Sequence, residues 1–83
     1  MGSRKNYSST IHDQKYKAII QALISSRKSA GLKQSDIAKT LRLTQPDISK
    51  IERRERRIDA LEVARWMKAV DGSFDQIIKS VLS

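Results

Sequence analysis

The stretch QSDIAKTLRLTQPDISKIER, residues 34–53, constrains this chain more than any other. It holds two short apolar patterns of helical spacing, Ile37-Ala38-Leu41 and Ile48-Ile51. Pro46 marks where the second pattern starts. A proline inside a helix removes a hydrogen bond and clashes with the preceding turn, but first-turn amides have no intrahelical partner, so there it costs nothing. Thr44 can cap that start, with Asp47 at the third helical position completing a capping box and placing an acid at the positive end of the dipole. The pattern predicts one helix over about 34–41, a joint of about three residues, and a second helix over 44–53 with Ile48 and Ile51 inward.

The flanking sequence continues in the same mode. From about Asp13, apolar residues fall at Tyr16, Ile19, Ile20, Leu23 and Ile24, then Ala30, the stripe of an amphipathic helix. Gly31 ends it, with Leu32 placed for the hydrophobic contact of a C-cap. Asp59 and Glu62 cap a fourth helix striped by Val63, Trp66, Met67 and Val70 and terminated at Gly72. Ser73 and Gln76 open a fifth, with Phe74, Ile77, Ile78, Val81 and Leu82 at helical spacing. Trp66, Met67 and Tyr16 read as core. No segment reads as a strand. The expectation is an all-α fold, a compact five-helix domain over residues 13–83. Residues 1–12, polar and aperiodic, read as a flexible arm, and the opening Met-Gly-Ser reads equally as a cloning scar.

Seventeen Lys and Arg against nine Asp and Glu give a net charge of +8, unevenly placed. Residues 1–57 hold fourteen basic and five acidic residues, whereas residues 58–83 hold three and four. A basic front points to a polyanion partner. Composition alone does not separate nucleic acid from an anionic membrane. The basic residues do not, however, line one face opposite a long apolar one, as a membrane-surface helix requires. The absence of cysteine excludes disulfides and thiolate metal sites and fits a reducing compartment. A lone His12, read as solvated, cannot assemble a metal site. No apolar run is long enough to span a bilayer, and Asn6 stands where a myristoylation signal after Met1-Gly2 needs Ser or Thr. The lack of a paired-carboxylate, nucleophile–base or phosphate-cradling glycine motif argues against an enzyme, and no cofactor is implied.

Two short helices joined this tightly describe a helix-turn-helix, whose second helix lies in the major groove of DNA with its N-terminal residues at base edges. With Ile48 and Ile51 inward, Gln45, Pro46, Ser49, Lys50 and Arg53 face outward. Gln can pair bidentately with adenine and Lys can donate to guanine O6 and N7. Ser is an adaptable donor and acceptor, and Pro46 offers apolar contact to a thymine methyl.

The longer segment GLKQSDIAKTLRLTQPDISKIERRERRID resembles the lambda-repressor and Cro-like helix-turn-helix family, also called the XRE family. Matching positions are Gly31, Leu32, Gln34, Ile37, Ala38, Leu43, Thr44, Gln45, Ile48, Ser49, Ile51, Glu52 and Arg53, and the similarity runs over roughly residues 16–82. The resemblance implies a lambda-repressor-like fold with Gln45, Pro46, Ser49 and Lys50 reading bases. It also implies a phosphate contact from Gln34 and a structural role for Glu52; Lys33, Arg42, Thr44, Arg53 and Arg54, placed around the same helices, are expected to contact phosphates as well. The family's C-terminal helix is a common dimer surface, which makes Phe74, Ile78, Val81 and Leu82 the expected contacts. Three residues depart from the pattern. Arg42 and Arg54 stand where many members carry glycine, so a left-handed backbone there would be strained. Lys33 replaces the usual Ser or Thr cap. In the RRERR run, Arg56 and Arg57 are further phosphate candidates, set against the plain reading of a solvated, self-neutralised loop. Arg4 and Lys5 in the arm are weaker ones.

The expected function is sequence-specific, double-stranded DNA binding by a homodimer in transcription regulation, with repression the expected sign. A two-fold dimer implies an inverted-repeat operator with half-sites about 34 Å apart. The alternative is an antitoxin-like module whose main partner is a toxin and which also regulates its own operon. Either would be cytoplasmic, and bacterial or phage-encoded.

Overall fold

The computed structural model describes residues 13–72 and, beyond them, Asp75, Ile77, Lys79 and Val81. It contains four bounded helices: α1 (Gln14–Ser29), α2 (Gln34–Leu41), α3 (Gln45–Glu52) and α4 (Ala60–Ala69). No strand occurs among the described residues. Four helices are thus bounded among the described residues, and the limits of the expected fifth fall outside them. Asp75, Ile77, Lys79 and Val81 are helical, while the Ser73 cap, Gln76, Phe74, Ile78 and Leu82 lie outside the described residues, as do Arg4, Lys5 and His12.

Each helix starts as its sequence directs. Asp13 accepts the Lys15 and Tyr16 N–H groups at 2.7 and 3.3 Å. The Thr44 hydroxyl accepts the Asp47 N–H at 3.3 Å, and the Asp47 carboxylate accepts the Thr44 N–H at 3.0 Å and the Thr44 O–H at 2.9 Å. These donors, the backbone one foremost, hold the Asp47 carboxyl below its ordinary pKa. Asp59 and Glu62 exchange the same pair of bonds, at 2.8 and 3.1 Å. The start of α2 is half-capped. Asp36 accepts the Lys33 N–H at 2.8 Å, but an ammonium group has no lone pair to return, so the Lys33 side chain makes no cap bond.

All four helices end in one motif, in which a left-handed residue lets two N–H groups fold back onto free carbonyls. Leu32 bonds Arg27 C=O and Gly31 bonds Lys28 C=O at 3.1 and 3.0 Å; Leu43 bonds Ala38 and Arg42 bonds Lys39 at 2.9 and 3.2 Å. Glu55 bonds Lys50 and Arg54 bonds Ile51 at 2.8 and 3.0 Å; Gly72 bonds Met67 and Asp71 bonds Lys68 at 2.8 and 3.2 Å. The left-handed residues are Gly31 (φ 72°), Arg42 (60°), Arg54 (60°) and Asp71 (57°). Gly72 is thus not the residue that turns α4. The motif places its positive φ one residue earlier, on Asp71, a residue type that tolerates it better than most. A Cβ at Gly72 would lie 2.7 Å from Met67 Cε, the mobile end of a flexible side chain that could shift to make room.

Arginine has no such tolerance. A side chain in the left-handed region costs about 1–2 kcal/mol against the right-handed one, a penalty glycine escapes while losing more chain entropy on folding. Arg42→Gly and Arg54→Gly are each expected to raise the melting temperature, by about 4–8 °C for a net gain near 1 kcal/mol in a domain of this size. A melting temperature that falls in either variant would show that the arginine side chain contributes more than its backbone loses.

The core lies where the four helices meet. α2 packs against α3 and α4, and α1 packs against the same two. Ile20, Leu23, Ile37, Ile48, Ile51 and Trp66 are fully buried, and Ile77 joins them at 6 % exposure. The Trp66 indole N–H donates to Leu23 C=O at 3.2 Å, which satisfies the polar edge of the largest core residue. Ile58, in the α3–α4 connection, is also buried, and its N–H donates to the Tyr16 hydroxyl at 3.1 Å. Tyr16 therefore fastens that connection to α1 as well as extending the stripe.

Candidate nucleic-acid interface

α3 presents Gln45, Pro46 and Lys50 to solvent, with Ser49 half-buried between them, and Arg53, which caps its C-terminus, is exposed as well. What orients this face begins on the other side of the helix. Residues 16, 19, 20, 23 and 24 form the α1 stripe, and position 27 continues it, so Arg27 points inward and is 9 % exposed. An arginine on a buried face must find a partner. Its Nε donates to Glu52 Oε2 at 2.7 Å, its Nη2 to Oε1 at 3.1 Å, and its Nη1 to Leu32 C=O at 2.9 Å. The two side chains are 11 % and 8 % exposed. Glu52 thereby joins the end of α3 to α1, the structural role expected of it.

The same carboxylate holds the start of α2. Gln34 Nε2 donates to Glu52 Oε1 at 2.9 Å, and Gln45 Nε2 donates to Gln34 Oε1 at 2.6 Å. An unbroken polar chain thus runs from Arg27 through Glu52 and Gln34 to Gln45, the first residue of α3. Counting amide groups shows what remains. Gln45 keeps its carbonyl oxygen and one N–H, the pair that adenine N6 and N7 require. Gln34 keeps one N–H. It is half-buried and its amide serves first as the bridge between Glu52 and Gln45. Sequence reasoning placed Gln34 and Gln45 separately and missed Arg27. The available signal was a charged residue on an apolar stripe.

Positive charge brackets this face. Arg42 is exposed at the α2 end, and Lys33 is exposed near the N-terminus of α2. At the far end Arg53 and Arg54 follow α3. Arg53 is not free in this state. It bonds the Ser49 hydroxyl through Nη1 and the Glu55 carboxylate through Nε and Nη2, at 3.0 and 3.1 Å. That hydrogen bond to Arg53 holds the Glu55 carboxyl below its ordinary pKa, and the carboxylate in turn raises that of Arg53.

Arg56 is drawn elsewhere. Its Nη1 and Nη2 donate to the two oxygens of Glu62 at 3.1 Å each, and Nη1 also reaches Arg57 C=O at 3.0 Å. Glu62 is buried, so Arg56 fastens the connection to the start of α4, and the pairing raises its pKa above the ordinary arginine value. Within the RRERR run Arg53 pairs with Glu55, and neither reading anticipated the Arg56 bond to Glu62.

The architecture is one seen before. The sequence model of the helix-turn-helix family HTH_3 matches residues 23–77, from the middle of α1 through α4 to Ile77. The chain belongs to this helix-turn-helix family, of the XRE type. Similar solved structures include an XRE-family like protein from Pseudomonas syringae pv. tomato str. DC3000. It is 28% identical, with a TM-score of 0.77, over 93% of this chain and 94% of that one. Two more distant structures share the fold. The clp gene regulator ClgR from C. glutamicum is 20% identical with a TM-score of 0.73, over 86% and 92% of the two chains. A mutant of the restriction–modification controller protein C.Esp1396I is 21% identical with a TM-score of 0.73, over 84% and 89%. No curated protein sequence matches the chain.

In this helix-turn-helix protein, α2 and α3 are the paired helices and Arg42-Leu43-Thr44 is the turn. Of the expected dimer residues only Val81 is described. It is half-buried, packs against the protein's own core, and its carbonyl accepts from Lys15 Nζ at 3.3 Å. No helix of the described residues is long and apolar enough to cross a membrane.

Proposed function

We propose that this helix-turn-helix protein is a transcription regulator that binds double-stranded DNA sequence-specifically, as a homodimer on an inverted-repeat operator, and that it represses. The observation that carries this reading is the outward face of α3, where Gln45, Pro46, Ser49 and Lys50 stand together at the N-terminal two turns. Arg42 lies at one end of that face, and Arg53 and Arg54 lie at the other. Two similar structures are described as a gene regulator and a restriction–modification controller, which supports the regulatory class. α3 enters the major groove, and Gln45, Ser49 and Lys50 read base edges with Pro46 against a methyl group. Lys33, Gln34, Arg42, Thr44, Arg53 and Arg54 hold phosphates and set the register. Phe74, Ile78, Val81 and Leu82 form the dimer contact. The protein works by binding alone, without catalysis or cofactor, in the cytoplasm.

Selection of duplexes from a random pool tests the reading. A palindromic sequence should be enriched, with half-sites about one helical turn apart. Lys50→Ala should then relax the preference at one position of each half-site. Arg53→Ala should weaken every sequence and flatten the dependence of log K on log salt by about one unit. Failure to enrich any sequence would favour the antitoxin-like alternative, and uniform weakening by both variants would overturn the division between base and phosphate contacts.

A further inference from the structure

Glu55 sits where α3 gains little from it. A carboxylate near a helix C-terminus faces the negative end of the dipole. The backbone leaves it no other place, because Arg54 turns left-handed at φ 60° and the Glu55 N–H closes the helix on Lys50 C=O at 2.8 Å. Arg53 and Glu55 are only two residues apart, a spacing that does not bring side chains together on a helix. The left-handed turn at Arg54 folds the chain back and lets the two side chains meet. The result is a bidentate ion pair, Nε–Oε2 at 3.0 Å and Nη2–Oε1 at 3.1 Å, between side chains that are 54% and 55% exposed. Lys50 adds a second positive charge beside the carboxylate.

A pair this exposed contributes little to folding. Its geometry, however, is the two-pronged one by which a guanidinium holds an oxyanion such as phosphate. We infer that Glu55 is a built-in phosphate mimic, which occupies Arg53 in the free protein and lowers the affinity for all duplex DNA irrespective of sequence. The inference rests on the DNA-binding reading above. When a backbone phosphate reaches Arg53, one oxyanion replaces another, so the exchange adds less to binding than a phosphate contact by a guanidinium with no carboxylate beside it. The displaced carboxylate is then left close to the incoming phosphate, a like charge. A chain carrying +8 attracts any polyanion, and such an internal competitor limits that sequence-blind attraction.

The test compares the full chain with Glu55→Gln, Arg53→Gln and the double variant. Each is titrated at several salt concentrations against a labelled random-sequence duplex and a duplex enriched by the wild-type protein. Glu55→Gln should tighten binding to both duplexes by the same factor, about three- to tenfold, and steepen the salt dependence by less than one phosphate. Its melting temperature should stay at the wild-type value. In the Arg53→Gln background the gain should vanish. Equal affinity of Glu55→Gln and wild type overturns the inference and leaves the DNA reading standing. A gain that persists undiminished without Arg53 also overturns it, since Glu55 would then act through its charge alone. Binding of neither duplex by the wild type overturns the DNA reading, and this inference with it.

Discussion

Glu52→Ala is expected to lose about 3–5 kcal/mol of stability, the cost of leaving a buried charge without its partner. In a domain this size that is a fall in melting temperature of roughly 15 °C or more, measurable by circular dichroism on heating. Arg27 would keep one bond, to Leu32 C=O, and would have two guanidinium N–H groups facing an apolar interior. The Gln34 amide would lose its acceptor as well. Arg27→Met with Glu52→Leu removes both charges and should recover most of the loss, because apolar packing replaces a pair whose desolvation offsets much of its attraction. A loss under about 1 kcal/mol for Glu52→Ala would mean that the pair behaves like a surface one, with water reaching both groups.

Gln45→Ala should remove about 1–3 kcal/mol of discrimination at a single base pair of each half-site, the contribution of one bidentate amide contact. The geometry adds a second expectation. Gln34 orients the Gln45 amide through the 2.6 Å bond and is itself held by Glu52. Gln34→Ala should therefore relax preference at the same base pair, in addition to any loss of phosphate contact. The two substitutions together should do less than the sum of each alone, with a coupling of at least about 0.5 kcal/mol in a double-mutant cycle. Strict additivity, or a relaxed preference at a different base pair, would show that the two amides act independently.

These residues differ in how legible they are in the sequence. Arg42 and Arg54 are recognisable there as strained positions, because they stand at helix ends where the resembled family carries glycine, and both are left-handed. The helix starts at Asp13, Thr44 and Asp59 are equally legible, since a cap involves residues no more than three apart. Gly72 misleads for the same local reason: a glycine near a helix end is usually the turning residue, and here Asp71 takes that place. Arg27 stands in plain view on the α1 stripe, and only its burial beside Glu52 exposes its role.

By itself, the sequence determined the all-α class, the α2–turn–α3 unit and the outward set on α3. Hydrophobic period, capping residues and a first-turn proline are patterns written over one or two turns of chain, so they can be read before knowing which element packs against which. Only the tertiary structure decided which polar groups meet. Arg27 and Glu52 are 25 residues apart, Gln34 and Glu52 are 18, and Gln45 and Gln34 are 11. Those pairings follow from how α1, α2 and α3 cross, and no local propensity records a crossing. Even the near neighbours Arg53 and Glu55 meet through the backbone turn at Arg54. The sequence flagged that turn as strained, but only the folded chain shows which way it aims the carboxylate.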